Sequence, residues 1–545
     1  METPAQEDLD AIREALEGRI LFDHEIRRAL QERGHPVRGP LEDALQVLTV
    51  RGLVGRAPSV TIDRFGIATC VRCGGHDIVE ASCASCGSDE CLRCVECASM
   101  GEARSCRPLY YAPGSPRVRQ DQPRKDPRHG LESAERVEDL SPPPSSGVQG
   151  GKISLPFGLT KAQQDASRFL ASFVTGDGPS ECLVYAVCGA GKTEVCLEAV
   201  DLALRQGGRV LFAVPRSDVV AEVAPRVSTA LPHARVVALR GASRERYRAA
   251  DVVVATTHQT LRFYQAFDLV VLDEADAFPF RGSRMLRHAL RRATVPHGKT
   301  IYMTATPDQS LLTAADQGRV ALTRISARHH GRPLPVPAIV TVALPPVDER
   351  GALSRPPQPP PSSGNRHAAG MPSEAVATIE ASLRAGHRVF VFVPTVGLAE
   401  RVCNALEISL VSPAPAASPD SAPLVARPRV AFVHSRHPER DRLREAFKQG
   451  RIDVLVTTTI MERGINVPMA DVVVLYADFD RVFDAGTLVQ MAGRAGRSGE
   501  YPCARVHFVA ERVSPAMRAA IASIRAMNEH AAAAGYLQKG SDPCL

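Results

Sequence analysis

The stretch Ala186-Val187-Cys188-Gly189-Ala190-Gly191-Lys192-Thr193-Glu194 constrains this chain more than any other. It follows the apolar run Leu183-Val184-Tyr185 and precedes Val195-Cys196-Leu197-Glu198-Ala199-Val200, which reads as a helix. A strand, a tight glycine-containing loop and a helix start ending in Gly-Lys-Thr form the arrangement that cradles phosphates. The glycines let backbone N–H groups approach phosphate oxygens, Lys192 reaches the terminal phosphates, and the Thr193 hydroxyl ligates Mg²⁺. Gly189, Ala190, Gly191, Lys192, Thr193 and Glu194 are therefore expected to hold a nucleotide. The usual first glycine of the pattern is Ala186 here, and Cys188 reads as a small apolar filler.

Length and charge bound the rest. A chain of 545 residues holds about three to four domains at roughly 150 residues each. A net charge of +6 permits nucleic acid as a partner through local patches and does not demand it. No apolar run is long enough for a transmembrane helix, and the acidic start Met1-Glu2-Thr3-Pro4-Ala5-Gln6-Glu7-Asp8 has no apolar signal core, so a cytoplasmic location is expected. Eight of the 14 cysteines fall between Cys70 and Cys106. In a large chain without an export signal, such clustering predicts metal binding rather than disulfides.

Residues 1–56 show helical apolar faces at Asp8–Leu16, Asp23–Leu30 and Leu41–Val50, followed by a short strand at Ser59-Val60-Thr61-Ile62. They form a small helical region, either winged-helix-like or a packing bundle. Residues 57–110 carry Cys70-Val71-Arg72-Cys73-Gly74, Cys83-Ala84-Ser85-Cys86-Gly87, Cys91, Cys94-Val95-Glu96-Cys97 and Cys106. Two residues between cysteines let one knuckle offer two thiolates to a single tetrahedral ion, and zinc then supplies folding energy to a loop-rich module. Zinc suits such knuckle pairs better than an iron–sulfur cluster, and eight thiols suffice for two sites. Residues 111–150 read as a linker, with a weakly basic run at Arg117, Arg119, Arg124, Lys125 and Arg128.

From 151 onward, short apolar runs alternate with helical stretches, the pattern of a parallel sheet with crossover helices. Strands are expected at Val210–Val214, Val252–Ala255, Leu269–Leu272 and Ile301–Met303. The third runs into Asp273-Glu274-Ala275-Asp276, at a strand end where α/β sheets place ligands. Asp273 would hold Mg²⁺ and Glu274 would orient and deprotonate the attacking water. A proline-rich linker at 341–372 separates this unit (151–340) from a second at 373–530, and 531–545 form a tail. Second-unit strands are expected at Val389–Val393, Val430–Val433, Val454–Val456 and Val472–Leu475, with a Pro/Ala-rich insertion near 411–428. Two tandem RecA-like parallel-sheet domains, only one with a phosphate loop, suggest a motor whose ATP sits in the cleft between them.

Thr304-Ala305-Thr306, Thr457-Thr458-Thr459-Ile460-Met461-Glu462-Arg463-Gly464-Ile465 and Gln490-Met491-Ala492-Gly493-Arg494-Ala495-Gly496-Arg497 resemble the ordered signatures of superfamily 2 helicases and translocases. The last is expected to open a helix. The resemblance makes Gln490, Arg494 and Arg497 catalytic, the arginines acting on the γ-phosphate, puts Gly464 at the nucleotide, and makes Gln163 in Leu159-Thr160-Lys161-Ala162-Gln163 the reader of adenine. A surface glutamine is the competing reading of Gln163.

The phosphate loop, Thr256-Thr257-His258-Gln259, Asp273-Glu274-Ala275-Asp276-Ala277-Phe278-Pro279-Phe280, Ala327-Arg328-His329-His330-Gly331-Arg332-Pro333-Leu334-Pro335 and the cysteine region with Met100-Gly101 and Pro108-Leu109-Tyr110 are similar to the ComFA family, late-competence ATPases of naturally transformable Gram-positive bacteria. Over residues 55–530 that resemblance implies a DNA-stimulated ATP hydrolase at the inner face of the cell membrane. It would move single-stranded DNA inward beside the uptake channel and other late-competence proteins, and it could act as an oligomer. It also implies that Cys70, Cys73, Cys94 and Cys97 bind zinc. Cys83, Cys86, Cys91 and Cys106 depart from the family's four-cysteine form; they could build a second site, or one could displace an assumed ligand. Arg216, Thr257, His258, Thr395 and Thr458 are candidates to grip a DNA backbone. Two other readings compete: a PriA-like replication-restart DNA helicase and a DEAD-type RNA helicase.

Overall fold

The computed structural model describes residues 4–35, 39–114, 153, 155, 157–241, 243, 245–347, 371–410, 427–434, 436–459, 467–498 and 504–538. The basic run at 117–128, most of both expected linkers, the 411–428 insertion up to 426, and 460–465 with Gly464 lie outside these residues. The chain divides into two compact units: Met1–Gly158, Ser167–Cys182 and Cys196–Tyr302 form one, and Leu159–Ala166, Leu183–Val195 and Met303–Leu545 the other.

In the first unit, helices Gln6–Leu16, Asp23–Glu32 and Leu41–Val50 form where the apolar spacing places them. Leu9, Ile12 and Leu16, then Ile26 and Leu30, then Leu41, Leu45 and Leu48 turn inward into one core with Tyr110 and Tyr247. Each such side chain contributes about 1.5–3 kcal/mol by leaving water. An antiparallel sheet of order Arg19–Leu21, Pro108–Ala112, Gly55–Pro58 closes this region, so the chain leaves the helices, runs through the cysteine segment and returns to pair with them. The expected borders at 56/57 and 110/111 thus fall inside strands. Between them lie two small hairpins, Val60–Ile62 with Ala68–Cys70, and Ile78–Ala81 with Cys91–Cys94.

A seven-stranded sheet follows the order Val236–Leu239, Val252–Thr256, Val210–Val214, Phe267–Asp273, Thr294–Thr304, Glu181–Ala186, Ala321–Ile325. The ladders joining the first four strands are parallel. Every residue of Val210–Val214 and Val252–Thr256 is buried, as strands covered on both faces require. In the second unit, a six-stranded parallel sheet runs Ala338–Thr341, Val506–Ala510, Ala470–Leu475, Arg388–Phe392, Val454–Thr457, Val430–Val433. These are the two parallel-sheet RecA-like folds, preceded by the helical region and the cysteine segment.

Candidate functional site

The phosphate loop leaves strand Glu181–Ala186 and is pinned at its start by the Val187 N–H donating to the Ile325 carbonyl at 3.0 Å. Gly189 and Gly191 adopt φ of 81° and 71°, a region closed to most side chains, which is why the loop needs glycine at both positions. The helix begins at Lys192, passes through Cys196 at φ −88°, ψ −5°, and continues to Arg205. Gln163 is buried against this loop. Its Nε2 donates to the Ala190 carbonyl at 2.9 Å, while its Oε1 accepts from the Thr160 N–H at 2.9 Å. Gln163 therefore braces the backbone that would hold the phosphates, a contact beyond the base edge expected from sequence.

Gln490–Arg497 also belongs to the second unit. The helix here is Ala485–Ala492, capped by the Asp484 carboxylate accepting from the Thr487 N–H at 2.7 Å. The motif therefore closes a helix instead of opening one; Gly493 and the positive φ of Gly496 turn the chain out. Gln490 and Arg494 are buried, and the Arg497 Nε donates to the Gly493 carbonyl at 2.9 Å. Cys188 is more than a filler, because its thiol donates to Gln490 Oε1 at 3.1 Å. Gly493 faces that thiol so closely that a Cβ would lie 2.5 Å from the Cys188 Cβ.

Arg328 completes this cluster, and the sequence reading gave it no role. It is 1% exposed. Its Nε donates to the Cys188 carbonyl at 3.1 Å, its Nη1 to the carbonyls of Ala495 (2.6 Å) and Gly496, and its Nη2 to that of Gly493 at 3.2 Å. Burial pushes its pKa down to about 9, and the charge of Arg497 acts in the same direction. One guanidinium thus ties the phosphate loop to the turn that carries Arg494 and Arg497.

In the first unit, Asp273 is the buried last residue of strand Phe267–Asp273, and its Oδ1 accepts from the Glu274 N–H at 2.8 Å. Glu274 sits at φ 53°, a strained conformation of the kind found at functional sites. Arg216, Thr257 and His258 follow the adjacent parallel strands Val210–Val214 and Val252–Thr256. Arg216 forks onto the Asp218 carboxylate at 2.6 and 3.1 Å, Thr257 is buried, and burial lowers the pKa of half-buried His258. In the second unit, Thr395 and Thr458 likewise follow adjacent strands, Arg388–Phe392 and Val454–Thr457, and Thr395 caps the helix Val396–Ser409.

The thiols gather into two sets, Cys70, Cys73, Cys94 and Cys97, and Cys83, Cys86, Cys91 and Cys106, each with its sulfurs within 4.8 Å of one another. The first set is wholly buried, with Cys70–Cys97 and Cys73–Cys94 sulfur separations of 3.8 and 3.5 Å. Zn–S bonds of about 2.3 Å in a tetrahedron give edges of about 3.8 Å, so these four thiols fit one zinc ion. Leu261 and Ala289 pack against them, and Arg292 donates to the carbonyls of Val71 (3.2 Å), Arg72 and Leu261 (2.8 Å). Beside them, buried Arg72 clasps the Glu25 carboxylate at 2.9 Å through one Nη, and Arg262 Nε lies 3.3 Å from the same carboxylate.

These features define an ATP-dependent, helicase-like enzyme of superfamily 2. Residues 160–314 match the family described as DEAD/DEAH box helicase, and residues 373–499 the Helicase conserved C-terminal domain. Residues 6–111 match the Competence protein ComFA N-terminal domain. The Competence protein ComFA of Bacillus subtilis is 30% identical over 514 residues, covering 94% of this chain and 96% of that protein. The Competence protein ComFA of Streptococcus pneumoniae is 30% identical over 438 residues, covering 80% and 86%. The chain belongs to the ComFA family. The ATP-dependent DNA helicase RecG of Streptococcus pneumoniae is 25% identical, matching 64% of this chain and 48% of its own length. Among solved structures, yeast Dbp5 bound to RNA and ADP BeF3 superposes with a TM-score of 0.44 at 18% identity, covering 68% of this chain and 88% of that one. The replication-restart and RNA-helicase readings are not favoured, since the match to ComFA includes the N-terminal region. Among the described residues, no helix is long and apolar enough to cross a membrane.

Proposed function

We propose that this chain is an ATP-driven motor that moves single-stranded DNA into the cell during natural competence, with its ATP hydrolysis stimulated by that DNA. The observation supporting this reading is a likeness to Competence protein ComFA that spans 96% of that relative, together with the presence of Lys192, Asp273, Glu274, Arg494 and Arg497. The loop 189–194 binds the phosphates, Lys192 neutralises the terminal ones, and Glu274 orients and deprotonates the attacking water. Arg494 and Arg497 stabilise charge on the transferred phosphoryl group; losing such an arginine costs on the order of 10³-fold or more in rate. Mg²⁺ would be held by Thr193 and Asp273 and would supply further charge neutralisation. Arg216, Thr257, His258, Thr395 and Thr458 contact the sugar–phosphate backbone, which suits transport of arbitrary sequence. The motor works at the inner membrane face beside the uptake channel and other late-competence proteins.

A strain whose chain carries Lys192→Ala tests this reading. Labelled DNA should bind the cell surface at the normal level while internalised DNA is lost. Normal entry would contradict the proposal.

A further inference from the structure

Cys83, Cys86, Cys91 and Cys106 are the thiols left over by the inner set of Cys70, Cys73, Cys94 and Cys97. The backbone around the first pair repeats the inner site in detail. At Cys70-Val71-Arg72-Cys73-Gly74, the Cys70 N–H donates to the Gly75 carbonyl at 2.9 Å and the Gly74 N–H to the Cys70 carbonyl at 2.7 Å, with Gly74 at φ 70°. At Cys83-Ala84-Ser85-Cys86-Gly87, the Cys83 N–H donates to the Ser88 carbonyl at 2.9 Å and the Gly87 N–H to the Cys83 carbonyl at 2.8 Å, with Gly87 at φ 71°. The same two bonds and the same left-handed glycine form both knuckles. Such a turn aims two thiolates at one point.

The second pair is assembled by pairing across the chain. Arg93 and Arg104 form an antiparallel bridge, and the Cys94 N–H donates to the Ala103 carbonyl while the Ser105 N–H donates to that of Leu92. That register sets Cys91 opposite Cys106, whose sulfurs lie 3.7 Å apart, and Cys106 is also 3.7 Å from the Cys83 sulfur. Both values match the tetrahedral edge of about 3.8 Å expected for Zn–S bonds of about 2.3 Å, and both far exceed a disulfide bond of about 2.05 Å. The Arg104 Nη1 donates to the Cys83 sulfur at 3.2 Å, a bond that offsets the net negative charge of four thiolates around a dication.

We propose that Cys83, Cys86, Cys91 and Cys106 bind a second thiophilic divalent cation, zinc by ligand chemistry. Strand Cys91–Cys94 then supplies a ligand to each ion. A spacing of three residues points Cys91 and Cys94 to opposite faces of the strand, so the two ions flank one hairpin of Ile78–Ala81 and Cys91–Cys94. A two-stranded hairpin of four residues a side is not stable alone, and the paired ions staple it. The two sites differ in access: all four inner thiols are buried, while Cys86 and Cys106 are exposed. The outer ion exchanges with solvent and is the first to leave under a chelator.

Native mass spectrometry of the full chain, reconstituted with zinc and freed of excess metal, should find two ions in the wild type and one in Cys86→Ser/Cys106→Ser. A second measurement does not depend on any variant folding. In the loaded wild type, the exposed Cys86 and Cys106 should resist alkylation, then react when a mild chelator has removed the first ion. One ion in the wild type with Cys86 and Cys106 alkylated freely, or these thiols found in disulfides, would overturn the proposal.

Discussion

Gly493 lacks a side chain because of what it faces. Its φ of −62° is open to any residue, yet an added Cβ would meet the Cys188 Cβ at 2.5 Å and its sulfur at 2.7 Å. Gly493→Ala must therefore push the 490–497 turn off the phosphate loop or distort the Arg328 bonds that join them. ATP turnover should fall by at least about tenfold, the rate cost of about 1.4 kcal/mol. Adding Cys188→Gly removes the opposing atoms and should recover much of it in the same steady-state assay. Unchanged turnover in Gly493→Ala, or no recovery in the pair, would show that the contact does not position the arginines. The contact was only half legible in the sequence. The loop and the Gln490–Arg497 motif stood out through fixed spacing, whereas Arg328 did not, because an arginine is ordinarily a surface residue and its carbonyl acceptors, at Cys188 and within 493–496, lie far from it in sequence.

At the level of elements, the cysteine segment bears on the turn Thr257–Arg262, which opens with Thr257 and His258 and closes with Arg262. Arg262 and Arg72 face the Glu25 carboxylate. Burial alone would raise the Glu25 pKa, but Arg72 and Arg262, with the Phe22 N–H, outweigh it and hold it below the ordinary 4.5. A carboxylate with a depressed folded-state pKa stabilises the fold above its unfolded value, and that stabilisation is lost as pH falls through the folded one. Glu25→Gln leaves two buried guanidinium groups short of a counter-charge and should cost about 3–5 kcal/mol near neutral pH. In denaturant titrations the gap between wild type and variant should narrow as pH drops below 4.5; a gap independent of pH would contradict the ion-pair account. The elements themselves were unevenly legible. Leu41–Val50 and Val210–Val214 declare themselves through period and apolar runs, with bounds matching the sequence reading. Strand Arg19–Leu21 does not, because three residues carry no period and its partner Pro108–Ala112 lies far along the chain. That pairing is why the helical region and the far end of the cysteine segment share a sheet.

At the scale of the whole chain, the fold class was readable because alternating apolar runs and helices predict parallel sheets, and both RecA-like sheets are present. What the chain acts on was not readable from period or charge: a net charge of +6 selects no polymer, and the candidate backbone-gripping residues are ordinary loop and cap residues taken singly. The central claim is that ATP hydrolysis here is coupled to single-stranded DNA. The direct measurement is steady-state ATP turnover by the purified full chain with single-stranded DNA, with RNA and with neither, alongside Glu274→Gln. Turnover should rise with single-stranded DNA and not with RNA, and Glu274→Gln should retain bound ATP while hydrolysis falls on the order of 10³-fold. Turnover that ignores single-stranded DNA or responds to RNA alone would contradict the account, and Glu274→Gln hydrolysing at the wild-type rate would remove Glu274 from its role.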